Sequence, residues 1–171
     1  EKTTIEYAVK RETNMKISIV GTGMIATEVI KMLRTEAKGI EITSLFTHSN
    51  KEKAQALAKT NHIERIYTDY TQLLREDGAD FVYIALINSV HYAFVHEALE
   101  ADRNVIVEKP FTMTVAEAEE LAAMALERKL YLFEAVSPLH TPNFRLVKES
   151  LGRIAPIHFV QCNYSQYSSK Y

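Results

Sequence analysis

Residues 16–20 form a short β-branched run that stops at Gly21, and Ile25, Val29, Ile30 and Leu33 then recur at helical spacing up to residue 34. The turn between them reads Gly21-Thr22-Gly23-Met24-Ile25-Ala26, a G-x-G-x-x-A pattern between a strand and a helix. Each small residue has a job in such a turn. Gly21 permits the sharp bend, Gly23 lets the backbone approach a diphosphate, and Ala26 keeps helix and strand close. The unpaired N–H groups and the dipole of the helix start favour an anion there. Glycines also serve plain strand-to-helix turns. It is the position of this one, on the first strand of a long βα series, that selects the dinucleotide reading.

The series is legible along the chain. Strands are expected over residues 40–47, 66–67, 80–87, 104–108 and 130–134. Helices are expected over residues 51–59, 69–75 and 90–101, with Gly39 closing the first helix and Asp77-Gly78 making a turn. Thr114, with Glu117 three residues on, matches a capping box and opens a helix that runs to residue 128. Strands alternating with helices imply βαβ units and an α/β fold with a parallel sheet, and six strands fit the Rossmann doubly wound order 3-2-1-4-5-6.

After Glu134 the pattern changes. Pro138 and Pro142 break the chain, residues 143–151 read as a helix, and residues 157–164 read as a strand. A lone strand cannot cover its own apolar face. Residues 136–171 are therefore expected to be the truncated start of an α+β second domain, following a dinucleotide-binding domain over 15–135 and an N-terminal extension over 1–14. Met15, immediately before the first strand, is a candidate native start.

Composition narrows the function classes. The 171 residues are 47% hydrophobic and 25% charged, which suits one globular domain and part of another. The formal net charge is -2 and the basic residues are scattered, so no nucleic-acid partner is expected. No apolar run is long enough to cross a bilayer, and residues 1–14 lack the apolar stretch of a signal peptide. Cys162 is the sole cysteine, so no internal disulfide forms and no metal site is expected. It is read as a small residue packed in a strand, in a reducing, cytoplasmic setting.

Four places carry candidate chemistry. Gly21, Thr22, Gly23, Met24 and Ile25 form the phosphate loop. The second place is the end of the second strand, which reads Thr47-His48-Ser49-Asn50-Lys51 with no carboxylate before Glu52. An acidic residue there would bind ribose hydroxyls and repel the extra phosphate of NADP. Its absence, with His48, Ser49 and Lys51 as donors, leans toward NADP over NAD. An ordinary polar loop with a helix cap at Ser49 or Asn50 fits the same residues. The third place is Glu108-Lys109-Pro110 at the carboxyl end of the fifth strand, where ligands of open α/β sheets gather. Lys109 could donate a hydrogen bond or proton to a substrate oxygen, or make a surface ion pair. The fourth place is Asn88 with His91. Asn88 can both donate and accept, whereas a histidine at a helix start more often bonds the local backbone than a ligand. His140 could face a substrate cleft, His158 reads as structural, and Tyr164, Tyr167 and Tyr171 read as alternation along a half-buried strand.

Together these motifs resemble the Gfo/Idh/MocA family, the glucose-fructose oxidoreductase and inositol dehydrogenase group. The matching stretches are MKISIVGTGMIA, DFVYIALINSVHYAFVHEALEADRNVIVEKPFTMT and LYLFEAVSPLHTPNF. The Glu-Lys-Pro motif at this distance from a glycine fingerprint is specific to the group. The resemblance implies that residues 21–25 bind pyrophosphate, that Asn88 contacts the nicotinamide end, and that Lys109 is a catalytic and substrate-orienting residue. It implies a cis bond to Pro110. It also implies a second domain, an open, mostly antiparallel sheet, that supplies substrate contacts and often a homo-oligomer interface. Two departures stand out. The family usually has Thr-Pro or Ser-Pro before the asparagine, where this chain has Leu86-Ile87. Its later D-x-x-x-H motif, which supplies the second catalytic group, does not follow Lys109 here.

The expectation is an NAD(P)-dependent oxidoreductase moving a hydride between nicotinamide and a sugar, polyol or related hydroxyl or carbonyl compound. A cofactor-binding sensor without turnover, on the same fold, is the rival. A structural module that binds no nucleotide is the third reading.

Overall fold

The computed structural model describes residues 14–154, 156–163 and 165. Compact packing divides the chain between Ala135 and Val136. In the first unit six parallel strands run β1 (Met15–Val20), β2 (Ile40–Phe46), β3 (Arg65–Tyr67), β4 (Phe81–Ile84), β5 (Asn104–Val107) and β6 (Leu132–Glu134). They lie side by side in the order β3-β2-β1-β4-β5-β6, the doubly wound order expected from the sequence. Helices α1 (Met24–Thr35), α2 (Lys51–Thr60), α3 (Tyr70–Glu76), α4 (His91–Glu100) and α5 (Val115–Arg128) connect them.

Helices cover both faces of the sheet, so its central strands show little polar alternation. On one face Ile17, Ile19, Leu45 and Tyr83 pack with Ala26, Ile30 and Leu33 of α1 and with Ala54 and Ala58 of α2. On the other, Val20, Val82, Ile84, Val105 and Val107 pack with Leu73, Leu74, Val95, Leu99 and Leu121 of α3, α4 and α5. Each aliphatic side chain fully buried this way contributes about 1.5–3 kcal/mol. The sheet is thus a rigid plate whose strand ends can hold a site.

Helix ends follow local chemistry. Thr114 Oγ1 accepts from Glu117 N at 3.2 Å, and Glu117 Oε2 accepts from Thr114 N at 3.0 Å, closing the capping box. Thr114→Ala is expected to lower stability by about 1 kcal/mol, read as a shift in the denaturant midpoint at constant slope. Gly39 does not close α1. The helix ends at Thr35 with Glu36 as its cap, and Gly39, at φ +83°, instead shapes the entry to β2. The fourth strand stops at Ile84, three residues short of the expected end, because Leu86 and Ile87 turn into a single 3-10 turn over Asn88–Val90.

In the second unit a 3-10 turn, Ser137–His140, leads to α6 (Pro142–Ile154). Pro142 opens this helix rather than breaking the chain. A first-turn proline sacrifices no helical hydrogen bond, and Thr141 Oγ1 accepts from Phe144 N at 3.3 Å as the cap. The strand expected over residues 157–164 does not form among the described residues, because alternation alone supplies no neighbouring strand to pair with. His158 therefore lies in irregular backbone, as does Cys162, which is exposed rather than packed. Tyr164, Tyr167 and Tyr171 lie outside the described residues. His140 ends the 3-10 turn. No described helix is long and apolar enough to cross a membrane.

Candidate functional site

At the carboxyl edge of the sheet the ladder continues one residue beyond each of five strands. Thr47 N donates to Tyr67 O (3.0 Å), Gly21 N to Phe46 O (3.0 Å), Ala85 N to Val20 O (2.9 Å), Glu108 N to Ile84 O (2.9 Å) and Ala135 N to Val107 O (2.8 Å). Residues 47, 21, 85, 108 and 135 therefore form a continuous backbone row from which the connecting loops rise. A cleft of about 420 Å³ opens above the row. Its walls include Gly21, Thr22, Gly23, Met24 and Ile25, then His48 and Ser49, then Asn88, Glu108 and Lys109.

Residues 21–25, His48, Ser49, Asn88, Glu108 and Lys109 thus meet on one cleft, whereas His91, Lys51 and His140 do not line it. Thr47, Asn50, Ala85, Leu86 and Ile87 also line it, with no motif of their own to mark them. Their signal was positional, since they follow directly on the ends of β2 and β4. Asn50 is engaged as the α2 cap, with Oδ1 accepting from Lys53 N at 3.0 Å. Its own N donates to Thr47 Oγ1 at 3.2 Å, which leaves His48 and Ser49 on the wall. Lys51 begins α2 and is not on the wall.

The two glycines of the loop differ in what holds them. Gly21 has φ +124°, and a Cβ there would lie 2.3 Å from Ala85 O. The β1 and β4 exits touch through backbone atoms at this point. Gly23 adopts an extended conformation, φ -68° and ψ -175°, open to any residue, and a Cβ there would meet nothing within 4 Å. Gly23 is the N-cap of α1, and no side chain caps that helix. Its first-turn N–H groups therefore lack an intrahelical acceptor beside the cleft.

At the far wall, Glu108 Oε1 accepts from Tyr83 Oη at 2.6 Å. Burial, reinforced by that carboxylate, pushes the Tyr83 phenol well above its ordinary value. The hydroxyl thus keeps its proton, and its grip on Glu108, through the neutral and alkaline range. Lys109 is exposed on the cleft wall, and its bond to Pro110 is cis. His91 departs from the cofactor-side expectation. It is fully buried, with Nδ1 2.8 Å from Pro110 O and Nε2 3.1 Å from Leu86 O, and it does not line the cleft. The first residue of α4 points inward here, and the ring lies between two backbone carbonyls, one of which accepts its single N–H.

Comparison with known proteins places this fold in a class. Residues 15–135 match the GFO_IDH_MocA family, described as an oxidoreductase family with an NAD-binding Rossmann fold. The chain belongs to that family. It is 32% identical over 157 residues to the uncharacterized oxidoreductase YgjR of Escherichia coli K12. It is 27% identical over 157 residues to the scyllo-inositol 2-dehydrogenase (NADP(+)) IolU of Bacillus subtilis. Each match covers 92% of this chain and 47% of the relative, so the chain spans just under half the length of these relatives. Among solved structures, KijD10, a 3-ketoreductase from Actinomadura kijaniata in complex with TDP-benzene and NADP, superposes with a TM-score of 0.75 at 30% identity. That superposition covers 82% of this chain and 44% of KijD10.

Proposed function

We propose that the cleft binds NAD(P) and that the whole protein is an oxidoreductase acting on a sugar, polyol or related hydroxyl or carbonyl compound. The observation that carries this reading is the convergence of the glycine loop, the β2 exit, Asn88 and Lys109 on one cleft. The uncapped start of α1 fits a diphosphate, because its free N–H groups and helix dipole both favour an anion. Gly23 leaves the space above them open, where a side chain would intrude. Met24 and Ile87, 67% and 71% exposed, offer apolar surface to flat rings.

In this assignment the amides of residues 21–25 hold the pyrophosphate, His48 and Ser49 hold the adenosine side, and Asn88 hydrogen-bonds the nicotinamide end. Glu108 is part of the wall there, and Lys109 stands at the reacting end. The bound cofactor supplies a hydride acceptor or donor. Lys109 hydrogen-bonds the substrate oxygen and holds or releases its proton while the carbon changes oxidation state. IolU, a scyllo-inositol 2-dehydrogenase (NADP(+)), and KijD10, a 3-ketoreductase in complex with NADP, support the substrate class and the use of NADP. The acid-base partner and most of the specificity are assigned to a second domain.

The absence of a carboxylate among residues 47–50 favours NADP over NAD. Fluorescence titration with NADPH and NADH tests this. NADPH is expected to bind more tightly, and Ser49→Asp is expected to weaken NADPH roughly 10- to 100-fold with little change for NADH, through repulsion of the extra phosphate. No binding of either nucleotide would refute the assignment. Binding without turnover across a sugar and polyol panel would favour a sensor.

A further inference from the structure

We propose that His91 and Glu134 are positioning residues that set the place of Lys109 by gripping one peptide group, Pro110–Phe111, from its two ends. The inference rests on the reading of the cleft given above. His91 Nδ1 lies 2.8 Å from Pro110 O, and Glu134 Oε1 accepts from Phe111 N at 2.9 Å. That carbonyl and that N–H belong to the same planar unit and point in opposite directions. A carbonyl only accepts, so this contact is a hydrogen bond in the tautomer that carries the ring proton on Nδ1. The imidazole N–H thus meets the negative end of the peptide dipole and the carboxylate meets the positive end. The plane cannot rotate without breaking a bond on one side.

Both grips are anchored in rigid parts of the domain. His91 is the first residue of α4, and its ring is 0% exposed in the packed interior. Glu134 is the last residue of β6 and pairs in register with Val107. One residue before Lys109, Glu108 N is bonded to Ile84 O at 2.9 Å. The backbone is therefore tied to the sheet on both sides of Lys109, and the proline ring fixes φ in between. What remains free is the lysine side chain, which lines the cleft. Neither His91 nor Glu134 is on the cleft wall, so each acts through the peptide and not on a ligand.

The test uses the whole protein and five readable variants: His91→Leu, Glu134→Leu, the double Leu variant, His91→Asn and Glu134→Gln. The Asn amide returns a donor near Nδ1, and the Gln amide returns an acceptor near Oε1. Acylation of Lys109 by acetic anhydride is followed by peptide mass spectrometry with and without saturating NADPH, beside NADPH affinity and melting temperature. In the wild type NADPH is expected to shield Lys109. Each Leu variant is expected to lose that shielding by about 10-fold, because small displacements of a reacting group carry large rate effects. NADPH affinity, set chiefly at the glycine loop, should stay within about 3-fold. The Asn and Gln variants should restore shielding, and the double Leu variant should be no worse than the worse single, as expected for two grips on one group.

Leu variants that bind NADPH and shield Lys109 as the wild type does would overturn the proposal. So would Asn and Gln variants that bind NADPH without restoring the shielding. If His91→Leu fails to fold, Glu134→Leu, at an exposed strand end, decides alone. A wild type that binds NADPH without shielding Lys109, or does not bind it, overturns the reading of the cleft and this inference with it.

Discussion

Replacing Lys109 by methionine is expected to cut turnover of a sugar or polyol by about 10²- to 10⁴-fold, the range for loss of a positioned proton donor. Methionine is unbranched like lysine, so the wall of the cleft changes shape little while the ammonium is lost. Cofactor affinity is expected to fall by no more than about 3-fold, because the pyrophosphate end lies on the separate glycine loop. Steady-state kinetics beside fluorescence titration separates the two effects. A fall in kcat and kcat/KM together would mark an interaction made chiefly in the transition state. A rise in KM alone would make Lys109 a binding residue and assign the proton transfer elsewhere.

The second large effect separates two glycines that the sequence presents as one motif. Gly21→Ala places a Cβ 2.3 Å from Ala85 O at φ +124°. Non-glycine backbone strain of this kind costs about 1–3 kcal/mol before the overlap with the carbonyl is counted. The variant is expected to lose at least that much stability by denaturant titration, with cofactor binding lost as a consequence. Gly23→Asp is expected to do the reverse. The position has ordinary dihedrals and open space, and an aspartate there is a good N-cap for α1. Its melting temperature should hold or rise. NAD(P) affinity should fall roughly 100- to 1000-fold, since like charges about 4 Å apart repel by about 4 kcal/mol near a protein surface. Unaltered NAD(P) affinity in Gly23→Asp would remove the diphosphate from this loop.

The fold was legible because each local signal agreed with the next. The apolar runs around Ile17, Ile42, Val82 and Val105 are bounded by turn residues, and the helices between them carry their own start signals, such as Thr114 with Glu117. With six strands and the glycine turn after the first, the chain fits the 3-2-1-4-5-6 order that the sheet adopts. The overextended fourth strand shows where such reading fails. Leu86 and Ile87 continue the apolar run, but their exposed face belongs to the cleft, so hydrophobicity there marks a wall and not a ladder. His91 shows another limit. Spacing puts it at a helix start, but only packing decides that its ring turns inward to Leu86 and Pro110. Nothing near Glu134 in sequence suggests chemistry. Its partner Phe111 is 23 residues away and becomes a neighbour only through the β5–β6 register.

Gly21 sits so close to Ala85 O that no Cβ fits between them. The distance between the two loops that flank the cleft is gauged by main chain against main chain. Side-chain substitutions elsewhere in either loop can retune which molecule is welcomed, while the jaw width stays constant. Drift in ligand preference on this scaffold is thereby decoupled from drift in the spacing that the reacting partners share.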